Sequence, residues 1–411
     1  MRRYRLTGSP MVIYSASMIQ AGTGQSQHAG TAQAADEAAR RAMNRAGISK
    51  ADLAVVFFTA QHAKNPQELT GAVSRVVGTD CIVGSSGVGV LTGDGEIEGS
   101  DGMAVLVIKS EEIIGRPFIF EPLKGNEVNL GASFGDFLAK SHDESSLMIL
   151  LPDTYNGNPQ PLLASMMSRA GFHPVVGAGS SEGLGSGATY QLCGDKVASN
   201  AIAGAYLSGE FDLYIDITQG CQPITAPMTI TKAERNLIHQ IDGKPALEVF
   251  ARLLKGPLAD DLRRALMVLF VGLPADLSEN SVADGKYLVR NIIGLDPENG
   301  VVGVAEEVHE GEAMIFATRD GQRAREDLNQ MLSRQAARLG GKKPAFGLYF
   351  NCCARGSSLY GIPDIDSAYI CQALGDLPLI GIFGGYELAP LGQANRLFAY
   401  TGVLALVTET N

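Results

Sequence analysis

Short apolar runs, polar loops and amphipathic stretches alternate along this chain, and three segments follow one plan. Each predicts a strand, a polar loop, a helix, and a second strand ending in Gly and small polar residues. In the first, a strand at 52–58 precedes a helix at 66–77 and a strand at 81–87. The second runs 147–151, 159–170 and 174–181; the third runs 345–350, 366–374 and 378–381. Phe57 and Gly84 lie 27 positions apart, as do Leu150 and Gly177, while Phe350 and Gly381 lie 31 apart. Like features at like spacing indicate an internal repeat. Each unit then turns through Gly-rich residues into a further strand, at 103–108, 200–207 and 402–407.

The helical stripes are consistent with this plan. Pro66 suits a first turn, and Leu69, Ala72, Val73 and Val76 share a face. A helix over 35–46 has Gly47 as its stop, and another is expected over 322–338 with Ala324, Leu328, Met331, Gln335 and Ala336 on one side. From 211 to 316 the pattern turns mostly to strands, with Leu213, Ile215 and Ile217 alternating and further runs at 289–293 and 313–316. The expected class is α/β (α+β): repeated β-loop-α-β-β units forming mixed sheets covered by helices, in two halves that meet near Thr218.

Composition narrows the function. With 45% hydrophobic and 19% charged residues the chain reads as folded, and its 49 glycines imply many tight turns and close backbone approaches. A net charge of −11 argues against a nucleic-acid or anionic-membrane partner. Apolar runs such as 103–108 and 266–271 fall far short of the ~20 residues that span a bilayer. Arg2, Arg3 and Arg5 precede a short apolar run at 11–14, but Ser15 and Ser17 break it, so a cytoplasmic location is expected. The six cysteines have no framework spacing and read as reduced thiols.

The candidate chemistry lies at strand ends. Ser85 and Ser86, and Ser180 and Ser181, stand in Gly-rich loops that either cradle an anion or simply turn the chain. Arg355 carries a permanent charge that could fork onto an acid group and lower the pKa of nearby Cys352, or pair structurally with Asp364, Asp366 or Glu387. Asp364 and Asp366 suit the cap of the following helix. Glu387 could meet a ligand amine or pair with Arg355. His28, His62, His142, His173, His239 and His309 show no metal-binding spacing, and there is no C-x-x-C, so zinc is not expected. Without a P-loop or nucleophile elbow no enzyme is expected. A Cys-dependent enzyme is the rival reading, with Cys352 or Cys353 as nucleophile and no base nominated.

The order F-x-C-x-x-R-G (350–356), P-D-x-D (363–366), L-P-L-x-G (377–381), Tyr386-Glu387, Asn395 and Thr401 resembles the C-terminal half of the FIST family. Residues 220–222, 229–234 and 242–247 extend the likeness, which runs from Asp52 to Leu406. The family comprises intracellular signal-transduction domains that sense small ligands. The resemblance implies a FIST N-terminal-like domain at 1–217 and a FIST C-terminal-like domain at 218–411. It implies a cytoplasmic sensor of an amino acid or similar small anion that signals through a separate partner, with Cys352, Arg355, Glu387 and the four serines as ligand contacts and no cofactor. A branch of the family binds haem, senses nitric oxide and regulates a histidine kinase; here its axial ligand would be His62 or His28. The family's His positions fall on Ile365 and near Phe398 in this chain, which departs from the pattern there.

Overall fold

A computed structural model describes residues 19–141, 145–182, 187–254, 262–274 and 279–410. The apolar run at 11–14 considered as part of an export signal lies outside the described residues.

All three units fold alike. The paired parallel strands are Leu53–Thr59 with Ile82–Gly87, Ser145–Pro152 with Val175–Ala178, and Phe346–Cys352 with Leu379–Gly384. A helix joins each pair: Pro66–Val77, Pro159–Ala170 and Ile365–Leu374. The returning strands Met103–Ser110, Ile202–Gly209 and Thr401–Thr408 lie antiparallel against the first strand of each pair. Outer strands Ile19–Ser26, Ile113–Phe120 and Asp212–Gln219 complete each sheet. The result is an α/β fold built on mixed sheets covered by helices.

The repeat glycines have a common cause. A Cβ on Gly84, Gly177 or Gly381 would stand 1.8, 1.8 or 2.5 Å from the carbonyl oxygen of Val56, Leu150 or Tyr349 on the neighbouring strand. Only glycine lets the parallel pair close at that point.

The hairpin after each unit leaves its own sheet. Residues 89–98 of the first unit pair with the third unit's strand, 191–198 of the second with the first, and 387–398 of the third with the second. Each six-stranded sheet is thus finished by another unit's hairpin, so the three sheets form one cyclic assembly. Their inner faces share a core in which Phe57, Leu151 and Phe350 come from corresponding strands. On the outside, helix pairs cover the sheets: Thr31–Ala46 with Pro66–Val77, Glu127–Leu138 with Pro159–Ala170, and Gly321–Leu339 with Ile365–Leu374.

The strand-rich stretch is an insertion into the third unit, between Asp212–Gln219 and Gly321–Leu339. Strand Ala313–Arg319 pairs with Met228–Glu234, and the path continues through Leu237–Ile241, Val301–Val304, Tyr287–Asp296 and Leu269–Pro274 before returning to Ala313–Arg319. This closes a small barrel around Ile230, Phe250, Val271 and Phe316.

Candidate functional site

The parallel strands of the three units end at corresponding positions. Thr59 pairs with Gly87, Asp153 with Ser180 and Cys352 with Gly384. These ends converge. Ser181 N donates to Ser86 O at 3.1 Å, Val88 N donates to Ser181 Oγ at 2.9 Å, and Ser181 Oγ donates to Phe383 O. One residue further, Gly384 O accepts from Cys353 N at 2.7 Å. Ser86 and Ser181 therefore meet beside the loop that carries the cysteines. Ser180 turns instead to Gln191, whose Nε2 donates to its Oγ at 3.0 Å, and Ser85 Oγ is buried with no hydrogen-bond partner.

The loop after Phe346–Cys352 folds onto a buried charge cluster. Arg355 is 0% exposed, and its Nη2 donates to Asp366 Oδ1 at 2.9 Å and to Tyr360 Oη at 2.5 Å. Asp366 also accepts from Tyr360 Oη at 2.8 Å and from Asn351 Nδ2 at 2.8 Å. Of the three possible acid partners for Arg355, the structure thus selects Asp366.

Two sequence expectations are corrected here. Neither acid caps the helix Ile365–Leu374: Asp364 makes no side-chain cap bond and its Oδ1 accepts from Glu96 N at 2.6 Å, while Asp366 is taken by Arg355. Nor is the Cys352 thiol lowered by Arg355. Interaction with the adjacent Cys353 thiol and burial both push the Cys352 pKa up, and the same interaction draws Cys353 below the ordinary thiol range.

Glu387 does not pair with Arg355. Its Oε2 accepts from Thr401 Oγ1 at 2.6 Å and from Thr401 N at 3.2 Å. Burial first, and then the neighbouring Cys352, raise its pKa well above the usual carboxylate range. Its Oε1 has no partner; nor do Arg355 Nη1, Asn351 Oδ1, Arg319 Nε or Tyr386 Oη, all buried. Arg319 belongs to the same neighbourhood, since its Nη2 donates to Ala354 O at 2.7 Å. Sequence reasoning missed Arg319, Tyr360 and the donor role of Thr401, because each reaches the loop from an element whose approach only the tertiary fold sets.

The two imidazoles considered for haem lie in the first unit. His62 is enclosed, with Nδ1 3.3 Å from Thr31 Oγ1 and Nε2 unpartnered, and burial lowers its pKa. His28 lines a cavity of about 500 Å³ together with Arg41, Glu96 and Asp364. Neither is among the hydrogen-bonded partners of the Cys352–Arg355 loop. Among the described residues, no group of three or more His, Cys, Asp or Glu side chains could hold a metal ion. A cleft of about 1010 Å³ separates the barrel from the second unit, lined by Gln160, Arg290, Glu306 and Leu397. None of the predicted site residues borders it. No helix among the described residues is long and apolar enough to cross a membrane.

Comparison with known proteins agrees with the motif order. An uncharacterized protein of Mycobacterium tuberculosis is 28% identical over 391 residues, covering 95% of this chain and 100% of its own length. An uncharacterized protein of Mycobacterium bovis is 29% identical over 377 residues, covering 92% and 96%. The crystal structure of a cyanuric acid hydrolase from A. caulinodans shows 12% identity and a TM-score of 0.28 over 46% of this chain and 71% of that one, too slight a likeness to carry an argument. The FIST N domain matches residues 52–244 and the FIST C domain residues 246–390. This chain therefore belongs to the FIST family of domains linked to sensing in signal transduction.

Proposed function

We propose that this protein is a cytoplasmic sensor that binds a small zwitterion or anion, an amino acid or close analogue, at the third unit's strand end. The observation that carries the reading is the pair of opposite, half-satisfied buried groups flanking Cys352: Glu387 with Oε1 unpartnered and Arg355 with Nη1 unpartnered. Buried polar groups are ordinarily bonded, and a concentration of exceptions calls for a partner. An ammonium on Glu387 and a carboxylate on Arg355 would complete both. Cys353 is exposed and marks the side from which a ligand would enter. The Ser86–Ser181–Phe383 contacts tie this end to the other two units. Occupancy would therefore bias the packing of all three sheets, a population shift that a separate signalling partner would read.

Glu387 gives the reading a distinctive signature. Burial raises its pKa, and an arriving ammonium would oppose that shift by favouring the ionised form. Binding should thus release a proton at any pH where the unliganded carboxyl holds one. Native mass spectrometry of freshly purified protein identifies a co-purifying molecule, and calorimetry in buffers of different ionisation enthalpy counts the proton. Glu387→Gln, which keeps the shape, is expected to weaken binding by about 2–5 kcal/mol and abolish the proton release. A panel of amino acids that gives no binding to ligand-stripped protein would overturn the reading.

A further inference from the structure

We propose that the ligand is a dicarboxylic amino acid, aspartate- or glutamate-like, and that Arg319 reads its second acid group. This inference rests on the reading of Glu387 and Arg355 given above and narrows it.

Covalent geometry fixes where each free guanidinium N–H points. Nε–H and one N–H of Nη2 lie along the same edge of the planar group, and Nη1 lies on the other side. In Arg355 that shared edge is taken up by Asp366, which accepts from Nε at 3.3 Å and from Nη2 at 2.9 Å. Nη1 is therefore turned away from Asp366 and towards Gly220, where a Cβ would stand 3.5 Å from Nη1 and 2.5 Å from Tyr400 O. Gly220 N donates to Tyr400 O at 2.7 Å, and the next residue, Thr401, holds Glu387. The free N–H of Arg355 and the carboxyl of Glu387 thus both border the crossing of Gly220 with Tyr400 and Thr401.

Arg319 comes to the same crossing from the barrel. It ends the strand Ala313–Arg319 and pairs with Cys221, the residue after Gly220. Its Nη2 donates to Ala354 O at 2.7 Å, between Cys353 and Arg355. The edge that Nη2 shares with Nε therefore faces this loop, and Nε is buried without a partner.

The charges decide the ligand class. Among the described residues, Arg319 donates to Ala354 O and, at 3.4 Å, to Ser358 O and Oγ; none of these is an acid. Arg290, also on the barrel and 5% exposed, is by contrast paired with Glu306 at 2.7 Å, and Arg355 is balanced by Asp366. Arg319 thus brings to the site a charge that none of its hydrogen-bond partners neutralises. A simple zwitterion would use Glu387 and Arg355 and leave Arg319 unmatched. An acid on the ligand side chain fills the Nε–H and matches the charge. The corresponding amide has nearly the same shape and can still accept from Nε–H, but it carries no charge. Acid against amide therefore isolates what Arg319 contributes.

Calorimetry on the full, ligand-stripped chain compares L-glutamate with L-glutamine and L-aspartate with L-asparagine. One acid is expected to bind roughly 10- to 100-fold tighter than its own amide. Arg319→Gln should bring that ratio close to one while leaving the affinity for the amide unchanged. A role confined to holding the loop at Ala354 would instead weaken acid and amide alike, and that result overturns the proposal. So does a wild-type ratio near one, or a ratio that Arg319→Gln leaves intact; in each case an amino acid still binds and the reading of Glu387 and Arg355 stands. Failure of every amino acid to bind removes that reading and this inference together. Should Arg319→Gln not fold, Arg319→Lys keeps the charge but lacks the Nε–H edge. It is expected to lower the ratio without changing the affinity for the amide, and an undiminished ratio there overturns the proposal as well.

Discussion

The second and third units place an acid at the end of the same parallel strand pair and treat it in opposite ways. Asp153 in the second unit is 0% exposed, yet its oxygens accept from Tyr155 N at 2.8 Å, Asn156 N at 3.1 Å, Asn200 N at 2.7 Å and Ser199 Oγ at 3.3 Å. Every partner comes from the turn beside it or from the turn that leads into the neighbouring strand Ile202–Gly209. Glu387 in the third unit is equally buried, but one oxygen has no partner. The swapped hairpins sharpen the contrast. Val90, Gln191 and Glu387 each lie opposite the residue after a repeat glycine or its neighbour on the receiving strand. The position is thus apolar in one hairpin, amide in the next and acid in the third. One architecture therefore holds an acid closed by neighbouring backbone in the second unit and an acid with one oxygen left open in the third. The repeat supplies the scaffold and its third copy the chemistry.

The largest expected effect follows from the Arg355–Asp366 ion pair of the third unit, which among the described residues has no fully buried counterpart in the other two. Removing one partner of a fully buried pair leaves an uncompensated charge, which costs about 3–5 kcal/mol. Arg355→Ala and Asp366→Ala should each lower unfolding stability by that order in urea titrations. Arg355→Met combined with Asp366→Leu should recover much of the loss, since no charge is then stranded. A single variant as stable as wild type would break the claim that this end is held by charge where the second unit's Asp153 is held by backbone.

Much of this comparison is legible in the sequence. The helices Pro66–Val77 and Pro159–Ala170 begin at a proline suited to the first turn and stop at a glycine, so their limits follow from local chemistry. The strand pairs and the repeat glycines follow from period and spacing. The hairpin exchange does not, because which sheet accepts residues 387–398 is decided by contacts hundreds of positions away, and no local period encodes it. For the same reason Arg355 is readable as a charge needing a partner, while the choice of Asp366 over Asp364 depends on Glu96, which arrives on the first unit's hairpin and takes Asp364.

That hairpin yields a pH prediction. Glu96 is pushed from 4.5 to about 8 by burial, with Asp366, Glu98 and Asp364 adding repulsion and the Ser367 N–H opposing it. Its Oε1 accepts from Ser367 N at 3.0 Å, and its Oε2 has no partner. Below pH 4.5 the proton is bound in both the folded and unfolded states and imposes no cost. Between 4.5 and 8 the unfolded state releases it first, so stability falls as pH rises; above 8 the slope from this group ends. Glu96→Gln should flatten that part of the profile and stabilise the protein at pH 8 by on the order of a few kcal/mol. Identical pH profiles for variant and wild type would show that the hairpin carries its acid without strain.

Ser181→Ala tests the seam between units. The hydroxyl accepts from Val88 N and donates to Phe383 O, so its loss leaves a backbone donor of the first unit and an acceptor of the third unpaired. A loss of about 1–3 kcal/mol is expected, with faster hydrogen exchange at Val88. Unchanged exchange there would mean that the strand ends hold together without this contact.

The smallest effect belongs to Ser85, which the sequence marks as strongly as Ser181. Both sit in Gly-Ser loops, but the fold separates their roles. Ser85 lies within the strand Ile82–Gly87 and faces Gln191 across the swapped hairpin pairing, and its Oγ is buried without a partner. An unsatisfied hydroxyl contributes no hydrogen bond to lose, and replacing it by hydrogen removes a desolvated polar atom while leaving only a very small gap. Ser85→Ala should therefore change stability by less than about 1 kcal/mol. It should leave the affinity for any ligand held at Cys352, Arg355 and Glu387 unchanged, because no hydrogen bond links Ser85 Oγ to that loop. Paired urea titrations and calorimetry on Ser85→Ala and Ser181→Ala decide the matter: equal losses in both would assign the Gly-Ser loops a shared role that their different bonding denies.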